Sequence, residues 1–117
     1  MGTYAGQGDY AELMELQDRL DGEVEAMRNA GCQYARNEAE YRKALRLRIL
    51  DERTKGTPVT VISDLCRGDP HIADLKCSRD CAEALYKASQ EAINTIKLRI
   101  RIVNAQIDRE WSRAANG

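Results

Sequence analysis

The chain has 117 residues, a single-domain length, with 32% charged and 43% hydrophobic residues, two prolines, few aromatics and a net charge of −1. Near-neutrality removes any overall pull toward nucleic acid or an anionic membrane, and no apolar run approaches the ~18 residues of a membrane span. The profile, rich in Ala, Glu, Leu, Lys and Arg, is that of long helices rather than a compact mixed fold; a small elongated chain buries little surface, so self-association is expected.

Residues 1–8, with three glycines, are expected to form a flexible tail. No basic stretch followed by an apolar core opens the chain, so no signal peptide is expected, and the four cysteines are expected to sit reduced in a cytoplasm. Asp9 suits a helix N-cap, with Glu12 in the capping-box position. From there Leu13, Leu20, Met27, Tyr34 and Tyr41 fall seven apart, and Tyr10, Val24 and Leu45 supply companion positions of a heptad seam. Gln17, Gly31 and Glu38 interrupt it, with a weak point expected at Ala30-Gly31. This first helix should run from about Asp9 to Lys55 and end at Gly56.

The stretch TPVTVISDLCRGDP follows. Its β-branched run Val59-Thr60-Val61-Ile62 suggests a strand, but Thr57-Pro58 reads as an N-cap followed by the favoured first-turn proline. Val59, Ile62, Leu65 and Cys66 share one helical face, and Gly68 suits the position just past a helix end. A short helix over about Pro58–Cys66 is therefore expected. Asp69-Pro70 repeats the cap-and-proline start and opens the second long helix, so that Arg67-Gly68-Asp69 reads as part of a helix cap.

The second long helix carries the clearest pattern. Ala82, Tyr86, Ser89, Ile93, Ile96, Ile100, Val103 and Ile107 recur in steps of four and three, extended backward by Ile72 and Leu75 across an interruption at Arg79. Leu85, Ala92, Leu98 and Ile102 widen the stripe. The expected fold is all-α: a long antiparallel helical hairpin over residues 9–117 with a short connecting helix, assembling into a dimeric bundle. Antiparallel packing sets the acidic residues 1–30, with seven acids against two bases, beside Lys97, Arg99, Arg101, Arg109 and Arg113.

Four groups of residues are candidates for chemistry. Cys66, His71, Cys77 and Cys81 lie within sixteen residues and could hold zinc tetrahedrally, but no CxxC knuckle is present. Small packed thiols at a helix junction account for the same residues, and Cys32 reads as packing. No cofactor or resident metal is expected. For catalysis, no motif places a third group to orient a His71–cysteine pair, and no glycine-rich loop follows a strand, so the chain reads as a non-enzyme. The basic residues are the better lead: Arg42, Lys43, Arg46, Arg48, Arg53 and Lys55 crowd the end of the first long helix, and Arg67, Lys76 and Arg79 lie just past the turn. Among these Arg46, Arg53, Arg67, Lys76 and Arg79 are the candidate phosphate- or ligand-binding set. The plainer alternative is that such cations offset a helix dipole and pair with Asp51, Glu52, Asp64, Asp69 and Asp74; Arg79 in particular suits an internal partner such as Glu38 or Asp80. Finally, Leu85, Leu98, Ile102 and Trp111 are candidates for an oligomer interface.

The block TPVTVISDLCRGDP, the following RDCAEALYKASQEAI and the Glu110-Trp111 ending resemble those of small helical proteins of bacteriophages and prophages of Gram-positive bacteria. The resemblance spans about Tyr41–Ser112 and leaves out the acidic first helix. It implies action inside a host cell, by obstructing or sequestering a host component or in phage DNA metabolism, and it implies no mechanism. The leading expectation is a self-associating helical protein of the host cytoplasm that binds a host macromolecule or phosphate-bearing ligand. A nucleic-acid-binding accessory of replication, recombination or packaging and a structural assembly component are the alternatives.

Overall fold

The computed structural model describes residues 5–116, with side chains from residue 8 onward, and holds three helices and no strand among them. They are α1 (Ala5–Thr54), α2 (Val59–Gly68) and α3 (Pro70–Asn116). The β-branched run at Val59 is helical, as its flanking signals indicate.

Local chemistry sets the helix boundaries. Gly56 ends α1 with φ +80, and its N–H donates to the Arg53 carbonyl at 3.0 Å while Thr57 N–H donates to the Glu52 carbonyl at 3.1 Å. This paired arrangement needs the left-handed backbone that glycine adopts without penalty. Thr57 does not cap α2, contrary to the sequence reading: Pro58 holds that position with no side-chain cap. The Thr57 hydroxyl donates instead to Glu52 Oε2 at 2.6 Å. At α3 the cap forms as expected, with Ile72 N–H donating to Asp69 Oδ1 at 3.1 Å. Gly68 is the last residue of α2 rather than the residue past its end.

At the other end, α1 already includes Ala5–Gly8, so Asp9 lies inside the helix and is not its cap. Gly8 costs only ~1 kcal/mol in a helix, which an already nucleated helix of this length absorbs. The rest of the expected tail, residues 1–4, lies outside the described residues.

Asp69→Ala is expected to lower stability by about 1–2 kcal/mol, because it removes both a cap acceptor and the carboxylate 3.4 Å from Arg48 Nε. A urea midpoint unchanged from wild type would contradict this.

The chain divides into two units, Met1–Met27 with Ala88–Gly117, and Arg28–Lys87. In the first, Leu16, Ile96, Val103 and Ile107 form a buried cluster, with Leu13, Leu20 and Ile100 packed against it. The helices here run antiparallel: Asp9 faces Gln106–Arg113, and Glu12 and Leu16 face Thr95–Arg99. Arg99 donates to both carboxylate oxygens of Glu12, at 2.7 and 3.0 Å, the charge pairing expected between these stretches.

In the second unit, Ile62 and Cys66 of α2 and Ile72 and Ala82 of α3 are buried. Tyr34 and Tyr86 stack with ring centroids 6.3 Å apart, and Tyr34 O–H donates to Glu83 Oε2 at 3.2 Å; that bond is the main cause of the phenol's raised pKa. Asn37 Nδ2 donates to the Ser78 carbonyl at 3.2 Å. Rising positions on α1 meet falling positions on α3 (Asn37 with Ser78, Arg48 with Asp69), so these segments are antiparallel as well. α1 runs unbroken through Ala30-Gly31. There the glycine makes room for a ring, since a Cβ on Gly31 would stand 3.1 Å from Tyr86 Cε1.

Candidate binding groove

Arg28–Lys87 carries the cations on which the sequence reading centred, and they divide into two sets. Arg79 is fully engaged: it contacts Glu38 Oε2 at 3.3 Å and Asp80 Oδ1 at 2.8 Å, and its guanidinium lies 4.7 Å from the centre of the Tyr41 ring. That removes Arg79 from the ligand-binding candidates and gives it the internal partners anticipated for it. Arg48 pairs with Glu52 at 3.0 Å, Asp51 at 3.7 Å and Asp69 at 3.4 Å, and Lys55 with Asp51 at 3.0 Å. Arg42 pairs with Glu38. For these residues the plainer reading of helix-end cations holds.

The Arg42 hydrogen bond is the main reason that the Glu38 carboxyl is held below its ordinary range, with the Arg79 charge adding to it against some desolvation. A carboxyl depressed in the folded state adds stability above its unfolded pKa and loses it as the pH falls through the lower folded value. Glu38→Gln should therefore lower stability by a constant amount at neutral and alkaline pH and flatten the acid side of the stability–pH curve, so that variant and wild type converge as the pH falls. Parallel curves for variant and wild type across the acid range would refute this.

Arg53, Arg67 and Lys76 behave differently. One residue comes from each helix (α1, α2 and α3), and all three line a groove of about 760 Å³. Its walls are Leu45 and Ile49 of α1, Val59 and Ile62 of α2 and Ile72 of α3, and no carboxylate is among the lining residues. None of the three cations makes an ion pair among the described residues, and the same is true of Arg46, which lines an adjoining shallower groove with Leu50 and Arg53. Val59 is well exposed, although it shares a helical face with buried Ile62 and Cys66. The short α2 thus buries one end of its apolar face and leaves Val59 on the groove wall. The volume falls within the ~300–1,000 Å³ of ligand sites. The arrangement offers aliphatic contact area beside positive charge, which suits an apolar group carrying an anion.

The sequence identified all of these cations but not the groove, because its walls come from three helices, each supplying only one or two aliphatic residues. The adjacency of Arg53, Arg67 and Lys76 to Val59 and Ile49 follows from tertiary packing, for which no local spacing is a signal.

The zinc set does not assemble. Cys66 is buried, His71, Cys77 and Cys81 are exposed, and no group of three or more metal-type ligands comes together among the described residues. Cys77 and Cys81 are free thiols, and a hydrogen bond between them is the main reason that the Cys77 thiol pKa is raised, which disfavours the thiolate that binds metal or attacks a substrate. Cys32 is exposed too and is not a packing residue, lying two positions past half-buried Ala30 and two before half-buried Tyr34. Leu85, Leu98, Ile102 and Trp111 are all exposed. No helix among the described residues is long and apolar enough to cross a membrane.

No protein-family model matches the chain, and no curated protein or solved structure is found to be similar to it.

Proposed function

We propose that the protein is a non-enzymatic helical binding protein whose working surface is the groove of the Arg28–Lys87 unit, and that the groove takes an apolar, carboxylate-bearing segment of another macromolecule. One observation carries this reading: Arg53, Arg67 and Lys76 border an aliphatic wall, no carboxylate is among the lining residues of the groove, and none of the three has an ion-pair partner among the described residues. Cations next to a low-dielectric wall attract an anion more strongly than fully solvated ones, while the aliphatic wall supplies contact area at ~25 cal/mol per Å². Single-stranded nucleic acid instead favours aromatic platforms for stacked bases. Tyr41 is the one aromatic lining the groove, and its ring is already covered by Arg79. A protein segment is therefore the better fit. The resemblance to phage proteins supports a partner from the host cytoplasm that is held or sequestered.

The test uses immobilised wild-type protein and an Arg53→Glu/Arg67→Glu variant, each exposed to lysate of a Gram-positive host. Substitution of exposed arginines should leave the melting temperature nearly unchanged, at ~0.5 kcal/mol or less each. A protein retained by wild type and lost from the variant is the expected result. Identical retained sets, or none, would refute the reading. Salt-dependent binding of duplex DNA or RNA that is lost in the same variant would favour the nucleic-acid accessory instead.

A further inference from the structure

We propose that a second copy of the chain can occupy this groove through the exposed acidic face of its own α1, giving a reciprocal homodimer in which the α1 strip from Tyr10 to Asp21 of each copy sits on the Arg28–Lys87 unit of the other. The inference rests on the groove being a binding surface, as proposed above.

The face that fits it is built by spacing. Tyr10, Met14, Asp18 and Asp21 follow one another in steps of four, four and three, which places them on one side of α1. All four are exposed, with Met14 69% and Tyr10 48% accessible, large values for apolar side chains. Asp18 and Asp21 make no ion pair among the described residues. The strip therefore presents two large apolar groups followed by two unpaired carboxylates, the chemistry that the groove accepts. Met14 is unbranched and adapts to an irregular aliphatic wall, and an amphipathic helix laid into an apolar groove is a recurring mode of recognition.

Charge separates this contact from others between two copies. The residues of Met1–Met27 and Ala88–Gly117 carry ten acids against six bases, whereas Arg28–Lys87 carries twelve bases against nine acids. Contacts between like units set like charges together; a contact between unlike units sets opposite charges together. Each copy holds one acidic strip and one basic groove, so two copies related by a two-fold axis make the contact twice and leave no open end. A dimer formed this way covers the groove, so the partner of the proposed function would have to displace it.

Sedimentation of the full chain at low salt and ~50 μM, a concentration suited to weak association, tests this directly. Wild type should run as a dimer and shift to monomer in ~0.5 M salt, where exposed charges are screened. Asp18→Arg/Asp21→Arg makes strip and groove both positive, and Arg53→Asp/Arg67→Asp makes both negative. Each variant alone should lose self-association at least ten-fold. An equimolar mixture of the two should recover the dimer, since each strip then meets a groove of opposite charge. The chain carrying all four substitutions should dimerise by itself. Far-UV circular dichroism checks folding, and Met14→Glu provides an independent disruption should a double variant fold poorly.

A monomeric wild type, or dimers that persist in both reversal variants, would overturn the proposal. Dissociation by Leu98→Glu/Ile102→Glu would also do so, by putting the contact on the outer face of α3, whereas an unchanged mass in that variant supports the strip. The groove's role is read separately by lysate capture, so a monomeric wild type that still loses its partner on Arg53→Asp/Arg67→Asp would refute the dimer alone.

Discussion

Ile96→Ala should destabilise the protein by about 3 kcal/mol, within the ~2–5 kcal/mol found when large aliphatic residues are truncated in closely packed cores. Ile96 lies in the buried cluster with Leu16, Val103 and Ile107, and Val103 is 0% exposed. Three carbons would be removed where helix backbones on both sides limit collapse into the gap. The control is two residues away: Leu98→Ala on the same helix removes a similar amount of side chain from an exposed position, and the effect there should stay within ~0.5 kcal/mol. Urea unfolding of both variants checks the pair. Equal effects would mean that the periodicity of α3 does not decide which residues support the fold.

That periodicity is the part of the molecule most legible in the sequence. Every position of the stripe from Ile72 to Ile107 is buried or half-buried, including Arg79, which looked like an interruption. Arg79 occupies a seam site because its guanidinium is satisfied by Glu38 and Asp80 while the ring of Tyr41 covers it. α1 was harder to phase. Its seven-residue spacing of Leu13, Leu20, Met27, Tyr34 and Tyr41 holds, all of them half-buried, and the companion sites Gly31, Glu38 and Leu45 are half-buried too, but in the first half of α1 the companion positions lie one residue earlier than the expected seam. Gln17 and Val24 are exposed, whereas Leu16 is buried and Glu23, Ala30, Asn37 and Ala44 are half-buried. With a polar or small residue at four of those five sites, hydropathy alone could not separate the two phases. Leu16, the one buried hydrophobic residue among the described side chains of α1, therefore carries no distinguishing signal in the sequence.

The cations show a second limit of the same kind. Asp69 was recognisable as a cap because capping is local, with donor and acceptor three residues apart. Whether a given arginine is paired or free depends on which carboxylate packing brings within reach. Arg48 and Arg53 are five residues apart on α1, yet Arg48 has three carboxylate partners and Arg53 has none among the described residues. The turn between α1 and α2 draws Glu52 inward toward Arg48 and Thr57, whereas Arg53, the next residue, projects toward the groove.

Glu52 is accordingly where the second large effect is expected. It is only 5% exposed, and its carboxylate accepts from Thr57 Oγ1 at 2.6 Å and contacts Arg48 at 3.0 Å. Removing one partner of a fully buried ion pair costs ~3–5 kcal/mol. Arg48 is less extreme, with its side chain 29% exposed and Asp51 and Asp69 still within range, so Glu52→Ala should cost about 2 kcal/mol. Glu52→Gln keeps an oxygen for the Thr57 hydroxyl and loses only the charge, so about half that cost is expected. Thr57→Ala, which removes the other end of the same bond and leaves Arg48 paired, should fall near ~1 kcal/mol. Because Glu52 and Thr57 share that bond, the double variant should cost less than the two single ones added together. Urea unfolding of the three single variants and the Glu52→Ala/Thr57→Ala double variant would measure this. Strict additivity would mean that water already satisfies both groups and that the α1–α2 turn is held by its backbone hydrogen bonds alone.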